Sequence, residues 1–152
     1  MKPFWIYPIY TSILALILIL LVPRKDIKKL AFQSILLGGV ADFIILNLFI
    51  FIIKKNIYIN FYPFGAGKIA FFLPIAWTIW FIIFFYLLPE KKISRYIYIT
   101  VSAAYSTFFA NVLYNLDIIQ WKYEKVFLPF LIYICWFFTA IYLKEKIEKS
   151  IL

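Results

Sequence analysis

The chain of 152 residues contains no histidine, one cysteine and only seven acidic residues. Without histidine, and with Cys135 alone, the usual zinc and haem ligand sets cannot be assembled within one chain, so neither a metal nor a cofactor is expected. Cys135 has no partner for an internal disulfide. Its place inside an apolar run predicts a buried small hydrophobe, not a reactive thiol. The scarce carboxylates do not pair: Glu90 and Asp117 fall at opposite ends of apolar runs and cannot form one acid–base couple. Glycine is also sparse, and the Gly65-Ala66-Gly67 turn lacks the strand–helix setting that a phosphate loop needs. These absences leave no hydrolase to build. No linker, low-complexity stretch or internal repeat divides the chain, which reads as a single transmembrane domain over residues 1–152.

What is present is apolar. Hydrophobic residues make up 66% of the chain, aromatic residues 23% and charged residues 15%, with a mean hydropathy of +0.94. Soluble domains are only about half apolar. Five runs are long enough to cross a hydrocarbon core of roughly 30 Å: Phe4–Val22, Leu30–Ile53, Ile69–Leu88, Tyr96–Leu116 and Val126–Leu143. The expected fold is therefore all-α, an integral bundle of five transmembrane helices in a bacterial plasma membrane. The first run is expected to be retained and not cleaved. Only Lys2 precedes it, no small-residue cleavage site follows, and Arg24-Lys25 comes directly after it.

The net charge of +9 does not point to nucleic acid, because the basic residues sit in short loops beside the apolar runs. There they set topology. One side carries Arg24, Lys25, Lys28, Lys29, Lys91, Lys92, Arg95, Lys144, Lys146 and Lys149, ten in all. The other carries Lys2, Lys54, Lys55, Lys68, Lys122 and Lys125, six in all. The richer side faces the cytoplasm, which places the N-terminus outside and the C-terminus inside.

Pro8, Pro74 and Pro129 each lie a few residues into a run that starts at the outer face. Proline is tolerated in the first turn of a helix, which accounts for Pro8 and Pro129. Phe71, Phe72 and Leu73 already read as membrane, so Pro74 is expected to kink its helix. In the Lys54–Lys68 loop, Tyr58, Phe61, Tyr62 and Phe64 suit headgroup depth, and the loop is expected to lie over the outer face as an interfacial lid. Trp77 and Trp80 are deeper than an aromatic belt, as core packing would have them.

Asp42 is the only acidic residue inside a long apolar run. An ionisable group at that depth faces a bundle interior or a cavity and is a functional-site hypothesis by default. Ala31, Ser34, Gly38 and Ala41 share its face, and small residues let another helix approach closely in lipid. This predicts the central helix of the bundle. On the fourth run, Thr100, Ala103, Ala104, Thr107, Asn111, Tyr114 and Asn115 form a polar and small stripe. Counted from the inner ends, Asp42 lies at roughly 18 Å, Thr107 at roughly 16 Å and Asn111 at roughly 22 Å. A polar seam between spans two and four is expected, with Asp42, Thr107, Asn111 and Asn115 as ligand or proton-site candidates. Ser34, Gly38, Ala41 and Ala104 are the helix-packing candidates. Asn47 lies well off the Asp42 face.

Two resemblances attach to these residues. The acidic residue in span two, the aromatic second loop, Leu88-Pro89 after span three and the run from Asn115 to Trp121 resemble the small, uncharacterised multi-span membrane proteins of spore-forming low-GC bacteria. That resemblance covers most of the chain and implies no activity. The segment from Ile57 to Pro74, followed by the aromatic run from Ile75 to Phe85, is similar to part of the lycopene cyclase domain. That family has paired glutamates after the proline, where this chain has Ile75 and Ala76. The departure removes the acid chemistry of cyclisation, while an isoprenoid-shaped pocket could survive it.

Three functions are compatible with the sequence. One is a non-catalytic binding or interaction protein of the lipid bilayer, held or partnered through the polar seam, with another membrane subunit as the candidate partner. The second is a small proton-linked carrier using Asp42. The third is an isoprenoid-lipid binder or enzyme.

Overall fold

The computed structural model describes residues 2–54, 56–67 and 69–151, so Lys55 and Lys68, within the expected lid, lie outside the described residues. The architecture is helical. A short 3₁₀ turn, Pro3–Trp5, leads into α1 (Ile6–Leu21). After Val22-Pro23 the chain re-enters helix as α2 (Arg24–Ser34), passes through a π-helical segment (Ile35–Val40) and continues as α3 (Ala41–Ile53). A loop carrying a minimal hairpin of β1 (Gly65–Ala66) and β2 (Ile69–Ala70) precedes α4 (Phe72–Tyr86), α5 (Lys92–Asn115) and α6 (Phe127–Ile151).

Among the described residues, four helical stretches are long and apolar enough to cross a membrane: Pro3–Leu21, Arg24–Ile52, Lys92–Asn115 and Phe127–Lys149. The second is the α2–π–α3 rod. The third apolar run forms α4, whose 15 residues extend only about 22 Å. The run begins in β2 and ends beyond the helix, so part of its length is not helical.

The chain packs as two units. One runs to Leu87 and takes in Leu116–Gln120; the other comprises Leu88–Asn115 and the chain from Trp121 onward.

In the first unit the most enclosed helix is α4, and not the Asp42-bearing helix expected at the centre. Five consecutive residues, Phe81–Phe85, are buried, which is how a helix surrounded on all sides reads. Helix α1 presents one stripe to it, Tyr7, Thr11, Leu14 and Leu18, and leaves Ile13, Leu16, Ile19 and Leu20 outward. The π segment meets α4 through two glycines. A Cβ on Gly38 would come within 2.7 Å of the Trp77 carbonyl oxygen, and one on Gly39 within 2.8 Å of the Pro74 carbonyl oxygen. Rising residue numbers on one helix meet falling numbers on the other, so α4 runs antiparallel to the rod.

Pro74 does not kink α4. It is the third residue of that helix, as Pro8 is of α1 and Pro129 of α6. The preceding Ile69–Ala70 segment pairs as a strand, which moves the helix start to Phe72 and puts the proline in the first turn, where a missing N–H costs nothing.

The loop between α3 and α4 is fastened down. Tyr7 donates its hydroxyl to the Ile59 carbonyl at 2.7 Å, Ile59 N–H donates to Ile118 O at 2.9 Å, and Gln120 N–H donates to Ile57 O at 2.8 Å. Asn60 Nδ2 adds a bond to Asp117 O. Phe64 packs its ring on Phe4, Trp5 and Phe72, and Phe61 packs on Tyr7. Of the four loop aromatics, Tyr62 alone is largely exposed, at 80%; Tyr58, Phe61 and Phe64 are partly covered.

In the second unit α5 buries Ile99, Ser102, Ala103, Ser106 and Thr107, a single face at helical spacing. Arg95 holds Glu145 across α5 and α6 at 2.6 Å. Lys125 stands over the Tyr114 ring, 3.7 Å from its centre. Glu124 caps α6, its two carboxylate oxygens accepting from the N–H groups of Val126 and Leu128 at 2.8 Å each. Cys135 is exposed on α6 and not buried as its apolar setting suggested. Phe137, Ala140 and Ile141 carry the buried face, and Cys135 is out of phase with them.

Candidate functional site

The site is organised around Asp42, the second residue of α3. It is 4% exposed, and its Oδ2 has no hydrogen-bond partner among the described residues. Two further polar atoms on the same rod share that condition, Ser34 Oγ and Gln33 Oε1. A buried polar atom left unpaired costs roughly 1–3 kcal/mol, so three on one rod are a concentrated energetic cost.

The π segment explains how these groups come to be turned inward. In an α-helix each step of four residues advances about 40°, so a line of residues four apart drifts around the axis. An i→i+5 closure takes more than four residues per turn, which removes that drift. Ser34, Gly38 and Asp42 therefore stand nearly in one line along the rod. The line is directed by Gly38, which lies against Trp77 and Phe81 of α4. Ser34 is fully buried, and Ala41 is half-buried beside the line.

Gly39 and Thr78 belong to this site and were not expected from the sequence. A Cβ on Gly39 would collide with the Thr78 hydroxyl, which itself donates to Pro74 O at 2.8 Å. The available signal was the tandem Gly38-Gly39 pair in the middle of an apolar run.

The remaining candidates sit in the second unit. Thr107 is buried and donates to Ala103 O at 2.9 Å. Asn111 Nδ2 donates to Thr107 O at 3.0 Å and to Lys125 O at 2.8 Å. Asn115 is the last residue of α5 and is exposed. Ala104 is exposed as well. The close-packed alanine is Ala103, at 0%, one residue and about 100° away on the helix.

The donors of Thr107 and Asn111 are thus engaged within their own unit. The same habit recurs along the chain: Thr11, Asn47, Thr78 and Thr100 each donate to the carbonyl four residues back. A polar side chain in an apolar helix satisfies itself this way without a second helix. A carboxyl can do so only while it is protonated, and Asp42 Oδ2, like Ser34 Oγ and Gln33 Oε1, makes no such bond among the described residues.

No protein-family model, curated protein or solved structure matches this chain.

Proposed function

We propose that the protein is a small proton-linked membrane carrier whose exchangeable group is the Asp42 carboxyl, which takes up and releases a proton within the bilayer. The single observation that carries this reading is the unpaired Oδ2 of a carboxyl that is 4% exposed. A carboxyl serving only as interhelical glue would have a donor facing it. One without a donor is an open coordination position in a medium where ionisable groups are expensive.

The membrane arrangement in this proposal is five crossings in a bacterial plasma membrane, N-terminus outside. Helix α4 supplies the fifth crossing. Its antiparallel course beside the rod returns the chain from the loop end to the opposite end of the first unit, and its enclosure by α1, α2 and the π segment relieves it of matching the full hydrocarbon thickness. The Lys and Arg distribution supports the orientation. A cysteine placed at Lys25 should resist labelling from outside intact cells.

The test of function is flux. The purified protein in liposomes, under an imposed potential and with a pH-sensitive dye inside, should pass protons. Asp42→Asn should fold normally and abolish that flux. Equal flux in wild type and Asp42→Asn would remove Asp42 from the proposal.

A further inference from the structure

The first two turns of the α2–π–α3 rod carry charge that the packing of the unit does not use. Arg24, Lys25, Lys28 and Lys29 are all exposed, and none of them forms an ion pair among the described residues. Asp26, the one acidic residue beside them, forms none either. Setting the topology needs only the number of these cations. Their arrangement is more specific.

At 100° per residue, Lys28, Lys25 and Lys29 stand about 40°, 100° and 140° from Arg24 around α2. The buried Gln33, Leu30 and Ser34 stand at about 180°, 240° and 280°. The four cations therefore share the arc that turns away from the packed side of the helix. Phe32, at about 80°, lies within that arc one turn further along, and it is 67% exposed. Ile35 and Leu36 beyond it are exposed as well. A basic band thus gives way directly to an apolar one on a single outward face. Length sets its depth. The stretch Arg24–Ile52 has 29 residues and extends about 43 Å, against a hydrocarbon core of roughly 30 Å. Its apolar run begins at Leu30, so the excess falls on residues 24–29, at headgroup level when the run fills the core.

We infer that this face of α2 binds an anionic phospholipid of the surrounding bilayer, its phosphodiester against Arg24, Lys25, Lys28 and Lys29 and an acyl chain along Phe32, Ile35 and Leu36. The inference rests on residence in a bilayer and does not depend on Asp42. Charge complementarity selects the occupant. Four cations without a protein counter-ion attract phosphate at the membrane surface, and the guanidinium of Arg24 can grip two phosphate oxygens at once. A zwitterionic phospholipid brings its own ammonium beside its phosphate, so it gains less from the cluster. A free anion meets the charges and leaves the apolar band uncovered. Only an anionic lipid matches both bands in the order in which the helix presents them.

The experiment reads which lipid lies beside Phe32. The full chain with Phe32→Cys, and with Cys135→Ser to remove the exposed native thiol, is labelled with bimane. It is reconstituted in phosphatidylcholine vesicles containing brominated phosphatidylglycerol or, in parallel, brominated phosphatidylcholine at the same mole fraction. Brominated phosphatidylglycerol should quench the label as if enriched about fivefold or more, and brominated phosphatidylcholine only in proportion to its mole fraction. Arg24→Gln, Lys25→Gln, Lys28→Gln and Lys29→Gln made together should abolish the enrichment. If that quadruple variant fails to reconstitute, Lys28→Gln with Lys29→Gln should cut the enrichment to about half or less. Lys54→Gln with Lys122→Gln removes two charges elsewhere and should leave it unchanged. Equal quenching by the two lipids, enrichment that survives loss of the α2 charges, or the same loss in the Lys54 and Lys122 variant would overturn the inference. Displacement by inorganic phosphate beyond that caused by sodium chloride at equal ionic strength would also overturn it, in favour of a free anion. Proton flux that depends on Asp42, with no enrichment, overturns this inference alone. Enrichment with no such flux overturns the carrier reading and leaves the lipid site standing.

Discussion

Gly39 and Pro74 approach so closely that a single methyl group on Gly39 would sit 2.8 Å from the Pro74 carbonyl oxygen. Backbone meets backbone here, and a backbone carbonyl cannot turn aside as a long side chain can. Close packing of this kind holds apolar helices together where a hydrophobic drive is lacking, as in lipid. Gly39→Val should therefore lower stability in detergent by about 1–3 kcal/mol, read as a fall in melting temperature. The Thr78 hydroxyl is the other obstacle, so Thr78→Ala should recover part of the loss of Gly39→Ala. Additive effects in that double variant would count against the contact.

The Tyr7 hydroxyl links the start of α1 to the loop between α3 and α4, with Ile59 O at 2.7 Å and Ile118 O at 3.4 Å. Tyr7→Phe keeps the ring and deletes the donor, leaving a carbonyl unsatisfied. The expected cost is about 1 kcal/mol. Because the bond fastens the loop, the change should also appear locally, as faster hydrogen exchange at the Ile59 and Gln120 amides and faster proteolysis near Asn60. Unchanged exchange there would mean that the loop is held without Tyr7.

Glu124 makes the start of α6 sensitive to acid. The N–H groups of Leu128 and Val126, in that order of effect, hold its carboxyl below the usual carboxylate range. A carboxyl depressed in the folded state contributes stability that is present above its ordinary value and lost as pH falls through its own lower one. Protection of the Val126 and Leu128 amides, taken relative to their intrinsic exchange rates at each pH, should accordingly hold at neutral pH and fall in acid. Glu124→Gln should show lower protection at neutral pH and no further fall in acid. An identical acid response in that variant would exclude Glu124 as its source.

Asp42→Leu separates function from stability. With Oδ2 unpaired, the carboxyl contributes desolvation cost without a compensating bond, so an apolar residue of similar size should match or exceed wild-type thermal stability. The same variant should be inactive in proton flux. A clear fall in melting temperature would show that the carboxyl is bonded and serves the packing.

The all-helical class, four of the five apolar runs as helices long enough to cross a membrane, the aromatic loop before α4 and the isolation of Asp42 were legible in the order of residues. Each depends on local composition or on length along the chain, and a hydropathy run of about 20 residues states its own requirement for a bilayer. The inward face of the Asp42 helix was legible from Ser34, Gly38 and Asp42, all of them buried, but the inward faces of the purely apolar helices were not. In water a buried stripe is marked by apolar residues, but lipid tails are as apolar as leucine, so the buried Leu14 and Leu18 look no different in sequence from the outward Leu16 and Leu20. For the same reason Ala103 was not distinguished from Ala104, and Cys135 was expected to be buried. The bond from Tyr7 to Ile59 spans 52 residues and has no local signature. The π segment was not legible either. An ordinary helix already puts Ser34, Gly38 and Asp42 on one face; the wider winding of Ile35–Val40 draws them closer to one line, and the glycine contacts with α4 are a property of the packed helices and not of the residues read one after another.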